Sequence, residues 1–233
     1  MLSVEALHAS YGGSMVLHGV DLDVTRGEIR ALMGRNGMGK TTLLRTIMGL
    51  LPVRSGRISF DGEAIQGLRT HEVAVRGLGY VPQGREIFGD FTVWENLQLS
   101  RLKLPRAERK IPKEIFEYFP ILAIRKNQKA GSFSGGEQQM LAIARALATQ
   151  PKMLLLDEPS EGIQPSIVDQ ISEILKRINE DKGLTILIVE QNVDMVMETA
   201  MNCAFMEKGR IVETCSIETL RENDSIIASH IAV

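Results

Sequence analysis

Cysteine, surplus charge of either sign, long apolar runs and repeats are all scarce or missing in this chain, and each shortage narrows its setting. Only Cys203 and Cys215 occur among 233 residues. Their spacing fits no metal-ligand pattern, and reduced thiols in a cytoplasmic protein are the state expected of them. Lys and Arg number 27 against 29 Asp and Glu, a net charge of −2. That balance offers no general attraction to nucleic acid or to an anionic membrane. No apolar stretch approaches the roughly 20 residues of a membrane span, and the N-terminus lacks the basic region and apolar core of a signal peptide. Any membrane link is therefore expected to run through a partner. There is no internal repeat, low-complexity tract or long linker. With 44% hydrophobic residues, the chain can bury a sizeable core in one large or two small domains.

What is present begins with phosphate chemistry. Gly34-Arg35-Asn36-Gly37-Met38-Gly39-Lys40-Thr41 fits the pattern G-x-x-x-x-G-K-[ST]. The glycines let backbone N–H groups turn inward around a β-phosphate, and a following helix N-terminus adds partial positive charge. Lys40 can then bridge β- and γ-phosphates while the Thr41 hydroxyl ligates Mg²⁺. The flanks agree: Ile29-Arg30-Ala31-Leu32-Met33 predicts a strand, and residues 42–50 predict a helix stopped near Gly49 and Pro52. The chain reads as a nucleotide binder.

Two further motifs extend that reading. Ser134-Gly135-Gly136-Glu137-Gln138 precedes apolar residues at helical spacing, namely Met140, Leu141, Ile143, Ala144 and Leu147, closed by Pro151. Small residues and a hydroxyl at a helix start expose donors to an anion, although the same Ser also suits an ordinary helix N-cap. Met153-Leu154-Leu155-Leu156-Asp157-Glu158-Pro159 predicts a buried central strand ending in adjacent carboxylates. Beside a phosphate loop, a carboxylate at the C-terminal edge of a parallel strand is where Mg²⁺ needs a ligand; alone, the pair equally describes a solvated acidic turn.

Elsewhere, residues up to about 60 alternate short strand signals with turn residues, and 84–150 turns helical. Thr92-Val93-Trp94-Glu95 has capping-box form, 111–122 is a second apolar-patterned segment, and 165–183 predicts a helix that starts at Pro165 and stops at Gly183. Strand-helix-strand repetition argues for a parallel α/β core.

Taken together, these segments resemble the ATP-binding-cassette ATPases, whose signature LSGGQ is written here with Phe133 for Leu and Glu137 for Gln. The resemblance covers nearly the whole chain. It implies a single domain over 1–233: an α/β phosphate-loop NTPase core, an N-terminal antiparallel β subdomain and an inserted α-helical subdomain over about 84–150. It implies ATP and Mg²⁺ as ligands. Gly34, Arg35, Asn36, Gly37, Gly39, Lys40, Thr41 and Thr42 would cradle the nucleotide, and Tyr11, in Leu7-His8-Ala9-Ser10-Tyr11-Gly12, would stack on adenine. Thr41, Gln83 and Asp157 would hold the metal. Glu158 would polarise the attacking water, with Lys40, Gln83 and Gln191 completing the catalytic set. Ser134, Gly135, Gly136 and Glu137 would contact the γ-phosphate of ATP bound to a second, facing subunit. Taken singly, Gln83 and Tyr11 read as a surface amide and a strand aromatic.

Two departures matter. After Leu184-Thr185-Ile186-Leu187-Ile188-Val189, most cassettes carry a His that contacts the γ-phosphate, whereas this chain reads Glu190-Gln191-Asn192. An amide donates a hydrogen bond but carries no positive charge, so weaker charge stabilisation is expected. The loop Ser160-Glu161-Gly162-Ile163-Gln164 also has Gln164 where an Asp is usual. A narrower resemblance, in Glu190-Gln191 and in 81–88 and 158–167, is to the branched-chain amino-acid importer group. Gln83-Gly84-Arg85-Glu86 and Gly162-Ile163-Gln164-Pro165-Ser166-Ile167 look closer to its urea and short-amide branch.

That resemblance implies a motor subunit on the cytoplasmic face of the plasma membrane. Its partners would be a second cassette ATPase subunit, two membrane permeases and, indirectly, a periplasmic solute-binding protein, with no nucleic acid. The neutral Gln191 favours a heterodimer whose other member supplies the His, with a homodimer as the alternative for the chain in isolation. With the sequence ending near Val233, the regulatory C-terminal domain that some sugar importers append is not expected. The rival readings are a soluble cassette using ATP as a clamp, which predicts paired cassettes or a long coiled coil in one chain, and a small-molecule kinase, which leaves Ser134-Gly135-Gly136-Glu137 unexplained.

Overall fold

The computed structural model describes residues 1–230; the expected domain end at Val233 lies outside them. Strand β1 (Leu2–Tyr11) pairs antiparallel with β2 (Ser14–Val24) across a Gly12-Gly13 turn. At 10 and 11 residues these strands are longer than the short ones expected. The register shifts between Val4 and Leu7, where Ala6 adopts φ 44°, and this bulge lets Leu2, Val4, Leu7 and Ala9 all stay buried in one strand. Strand β3 (Ile29–Met33) leads to α1 (Lys40–Ile47), β4 (Val53–Phe60) and β5 (Glu63–Ala64). The order β2-β1-β4-β5 forms the anticipated antiparallel subdomain. Helix α1 begins two residues before the expected start because Gly39, at φ 107°, turns the chain into it, and Gly49, at φ 69°, ends it.

Next come α2 (Thr70–Val75), β6 (Leu78–Val81), α3 (Val93–Ser100), α4 (Lys113–Tyr118), α5 (Pro120–Ile124) and α6 (Gly135–Leu147). Helix α3 has the anticipated capping box, with the Thr92 hydroxyl accepting from the Glu95 N–H and the Glu95 carboxylate accepting from that of Thr92. The 111–122 segment is split: Phe119, at φ −125° and ψ 71°, separates α4 from α5, and Pro120 occupies the first turn of α5. Proline has no N–H to continue the earlier helix and disfavours a helical residue before it.

Strand β7 (Met153–Asp157), helix α7 (Pro165–Lys182), β8 (Thr185–Glu190), α8 (Val193–Thr199), β9 (Asn202–Glu207), β10 (Arg210–Ser216), α9 (Ile217–Glu222) and α10 (Asp224–His230) complete the described chain. The second sheet runs β10-β9-β3-β8-β7-β6, parallel except for the β9–β10 hairpin. The runs 153–156 of β7 and 186–189 of β8 are wholly apolar because both faces of the sheet are covered there. Leu154, Leu156, Ile186 and Ile188 pack with residues of α6 and α7, whereas Met153, Leu155, Leu187 and Val189 pack with α1 and the antiparallel sheet. Burying each such side chain contributes roughly 1.5–3 kcal/mol. The effect is to hold the C-terminal ends of β3, β7 and β8 side by side.

Candidate nucleotide site

The loop after β3 is shaped by backbone that side chains would obstruct. Gly34 lies at φ 151°, and a Cβ there would come within 2.4 Å of the Met206 carbonyl oxygen. The loop therefore lies flush against β9 before entering α1. Lys40 is buried at 3% exposure, and its ammonium donates to the Gly34 and Arg35 carbonyls at 2.6 and 3.1 Å. The Thr41 hydroxyl donates to Asp157 Oδ1 at 2.9 Å, tying the first turn of α1 to the end of β7. Asp157 is 1% exposed, and Tyr80 donates to its other oxygen at 3.2 Å. Burial raises the Asp157 carboxyl above its ordinary value, against the opposing hydrogen bonds from Thr41 and Tyr80.

Glu158 is where the loops meet. Its backbone sits at φ 47°, a left-handed conformation that costs a non-glycine residue on the order of 1–2 kcal/mol. Its N–H is held by the Val189 carbonyl at 2.9 Å. One carboxylate oxygen accepts from Gln191 Nε2 at 2.9 Å and lies 3.4 Å from the Lys40 ammonium; the other accepts from Gln83 Nε2 at 3.4 Å. Gln191 Nε2 also donates to Asn36 Oδ1 at 2.7 Å. Residues singled out in four separate segments of sequence thus converge on one carboxylate. Lys40, Gln83 and Glu158 line a cleft with Val16, Asn36, Gly37, Gly39, Thr41 and Thr42. The arrangement can cradle phosphates, hold a hard cation through hydroxyl, carboxylate and amide oxygens, and orient a water.

Other expected residues lie apart from this cleft. Tyr11 is 43% exposed at the end of β1, and its ring centroid is 6.0 Å from the Arg45 guanidinium. Ser134 caps α6: its hydroxyl accepts from the Glu137 N–H at 3.4 Å, and its own N–H donates to the Glu137 carboxylate at 2.9 Å. That carboxylate also pairs with Arg125 at 3.0 Å, so the Glu137 side chain is engaged within the helical subdomain. The Ser134 hydroxyl keeps its proton free to donate. Gln164 is an exposed residue preceding α7.

The sequence reading missed Tyr80, whose single aromatic gave no motif to follow, and the anchoring of Gln191 by Asn36, which needs residues 155 positions apart. It also missed Arg85, which donates to the Glu161 carbonyl at 3.2 Å and lies against Gly135.

A phosphate loop and strand-end carboxylates at the edge of a parallel sheet define the phosphate-loop NTPase class. Within that class, the chain belongs to the ABC transporter family, which matches residues 17–161, more than half its length, and it is an ATP-hydrolysing cassette. It is 42% identical to the high-affinity branched-chain amino acid transport ATP-binding protein BraG of Pseudomonas aeruginosa, over 91% of each chain. It is 36% identical to the probable branched-chain amino acid transport ATP-binding protein LivF of Archaeoglobus fulgidus, over 96% of this chain and 95% of that one. The lipopolysaccharide export system ATP-binding protein LptB of Haemophilus influenzae is also 36% identical, over 97% and 95%. Among solved structures, a nucleotide-free ATP-binding cassette from an ABC transporter aligns with a TM-score of 0.86 at 26% identity over 97% of both chains. A dimeric cassette in a post-hydrolysis state, bound to ADP and phosphate, aligns with a TM-score of 0.82 at 26% identity over 93% of this chain and 99% of that one.

Proposed function

We propose that the chain is the ATPase subunit of an importer for branched-chain or other hydrophobic amino acids, or for urea and short amides. The observation that carries this reading is the 42% identity to BraG over 91% of each chain. The importer would place the chain at the cytoplasmic face of the membrane against two permeases, with a periplasmic solute-binding protein delivering cargo. Among the described residues no helix is long and apolar enough to cross a membrane, so these contacts would be peripheral. The likeness to LptB supports a second reading, an export ATPase, and only partner identity separates the two.

In the mechanism that fits, the loop from Gly34 to Thr42 receives the phosphates and Lys40 moves from the loop carbonyls to the β- and γ-oxygens. Tyr11 stacks on the base. Thr41 and Asp157, 2.9 Å apart, together with Gln83, supply the oxygen donors that suit Mg²⁺, which keeps most of its waters and needs few protein carboxylates. Bound there, the ion would neutralise charge on the β- and γ-phosphates. Glu158 orients and polarises water for in-line attack, and Gln191 and Gln83 fix its two oxygens. Ser134, Gly135, Gly136 and Glu137 form the opening turn of α6, and this turn would meet ATP on a second cassette, so closure of the pair would drive the permeases.

Two measurements test this. Glu158→Gln is expected to bind ATP, to accumulate as an ATP-bound dimer and to lose nearly all turnover; hydrolysis at the wild-type rate would remove Glu158 from the mechanism. Uptake of labelled leucine or urea by cells lacking the gene, with and without its restoration, tests the transport reading, and unchanged uptake of both solutes counts against it.

A further inference from the structure

Three backbone N–H groups from two loops end on the Glu190 carboxylate. Ser160 donates to one oxygen at 2.8 Å, while Gln191 and Asn192 donate to the other at 2.8 and 2.9 Å. Glu190 is the last residue of β8 and is 2% exposed. Among the described residues it takes part in no ion pair. Burying an unpaired carboxylate is costly, and only N–H dipoles compensate it here. A hydroxyl or amide could cap one of these loops. Two acceptor oxygens with no hydrogen of their own are needed to cap both, and only a carboxylate supplies them.

The two loops so joined are those that frame Glu158. Ser160 lies two residues beyond Glu158, and Gln191 donates to its carboxylate at 2.9 Å. The Val189 carbonyl, one residue before Glu190, takes the Glu158 N–H at 2.9 Å. Residues 189, 190 and 191 therefore grip the left-handed Glu158 turn by its backbone, by the loop that follows it and by its side chain. We propose that Glu190 is a positioning residue that locks these loops together, keeping the Gln191 amide on Glu158 and carrying any displacement of the 160–164 loop to that amide. This rests on the roles given above to Glu158 and Gln191. It also supplies what the missing imidazolium does not: a neutral donor whose aim is fixed by a buried clamp.

The test is a double-mutant cycle on the full chain, reading MgATP turnover and, separately, ATP affinity by titration. Glu190→Gln keeps the size of the side chain but turns an amide N–H toward a backbone N–H, so one loop must be released. Turnover should fall about tenfold while the ATP dissociation constant stays within about twofold of wild type. In a Gln191→Ala background, the same substitution should cost no further activity, because its effect passes through Gln191.

An undiminished rate in Glu190→Gln overturns the proposal. So does an equal fold-loss in both backgrounds, or a loss of ATP affinity in step with the rate, since either marks a general structural role. Wild-type turnover in Gln191→Ala also overturns it. If Glu190→Gln does not fold, Glu190→Asp, which keeps both oxygens on a shorter stem, decides the cycle by the same criterion. Should Glu158→Gln be inactive while this cycle fails, the catalytic reading stands and only the clamp is lost.

Discussion

The Gln191 side chain bridges two walls of the site, donating through Nε2 to Glu158 Oε1 at 2.9 Å and to Asn36 Oδ1 at 2.7 Å. In the mechanism proposed above it would stand where a positively charged donor could stabilise the charge developing on a transferred phosphoryl group. Replacing it by histidine keeps a donor there and adds a group able to become cationic. Gln191→His is therefore expected to raise turnover of the isolated chain, and addition of a second cassette and permeases to raise the wild-type rate well beyond the sum of the parts. Efficient hydrolysis by the isolated wild type, with no gain from histidine, would show that glutamine suffices and would take away the chemical ground for a heterodimer.

Tyr11 is 43% exposed near the Arg45 guanidinium, outside the lining of the phosphate cleft. Stacking of its ring on adenine should contribute about 1 kcal/mol, enough to change affinity several-fold. Tyr11→Ala is expected to raise the ATP concentration needed for half-maximal turnover by that factor and to leave the saturated rate nearly unchanged. Identical titration curves for the two proteins would return Tyr11 to a purely structural place at the strand end.

How much of this was legible in the sequence depended on whether a residue's partners were local. The strand at 29–33, the strand ending in Asp157 and the helix from Pro165 to Gly183 could be read because apolar period and terminal Gly or Pro are written within a few residues. The phosphate loop was readable for the same reason. Helix α1 was misplaced by two residues because Gly39 in a left-handed conformation, not the first apolar residue, sets its start. The split at Phe119 was missed because the apolar pattern runs on through Pro120. The clamp of Glu190 on Ser160 and the contact of Tyr80 with Asp157 join residues 30 and 77 positions apart, and no local pattern announces them. They exist because the parallel register sets β6, β7 and β8 side by side.

The two signature glycines should separate in a stability assay. A Cβ on Gly136 would come within 2.4 Å of Ile167 Cγ2, forcing α6 away from α7, whereas one on Gly135 would meet the far end of the long Arg85 side chain, at 3.0 Å, which can shift at small cost. Overpacking of the first kind costs about 1–3 kcal/mol, and each kcal/mol lowers the melting temperature of a chain this size by roughly 2–4 °C. Gly136→Ala should therefore melt measurably lower, and Gly135→Ala close to wild type, while both slow ATP turnover by the dimer. Equal melting temperatures would show that α7 yields at Ile167, and full turnover in Gly135→Ala would remove that residue from the interface with ATP.

His230 provides the pH-dependent prediction. Its Nδ1 lies 2.7 Å from Glu207 and its Nε2 2.8 Å from Glu213, with the ring stacked on Phe205 at 4.7 Å between centroids. Burial disfavours the imidazolium, yet the hydrogen bonds to the two carboxylates outweigh it, and the pKa is raised. A raised folded-state pKa means that the contact stabilises the protein fully below the unfolded value of about 6.5 and loses that contribution as pH climbs through the folded value. The latch holds α10 against the β9–β10 hairpin, so its loss should appear as unfolding of the C-terminal segment. The melting-temperature difference between wild type and His230→Ala is expected to be largest near about pH 6 and to shrink by about pH 9. A difference that stays constant or grows over that range would mean that the ring is held as the neutral imidazole, with packing on Phe205 rather than charge supplying the stability.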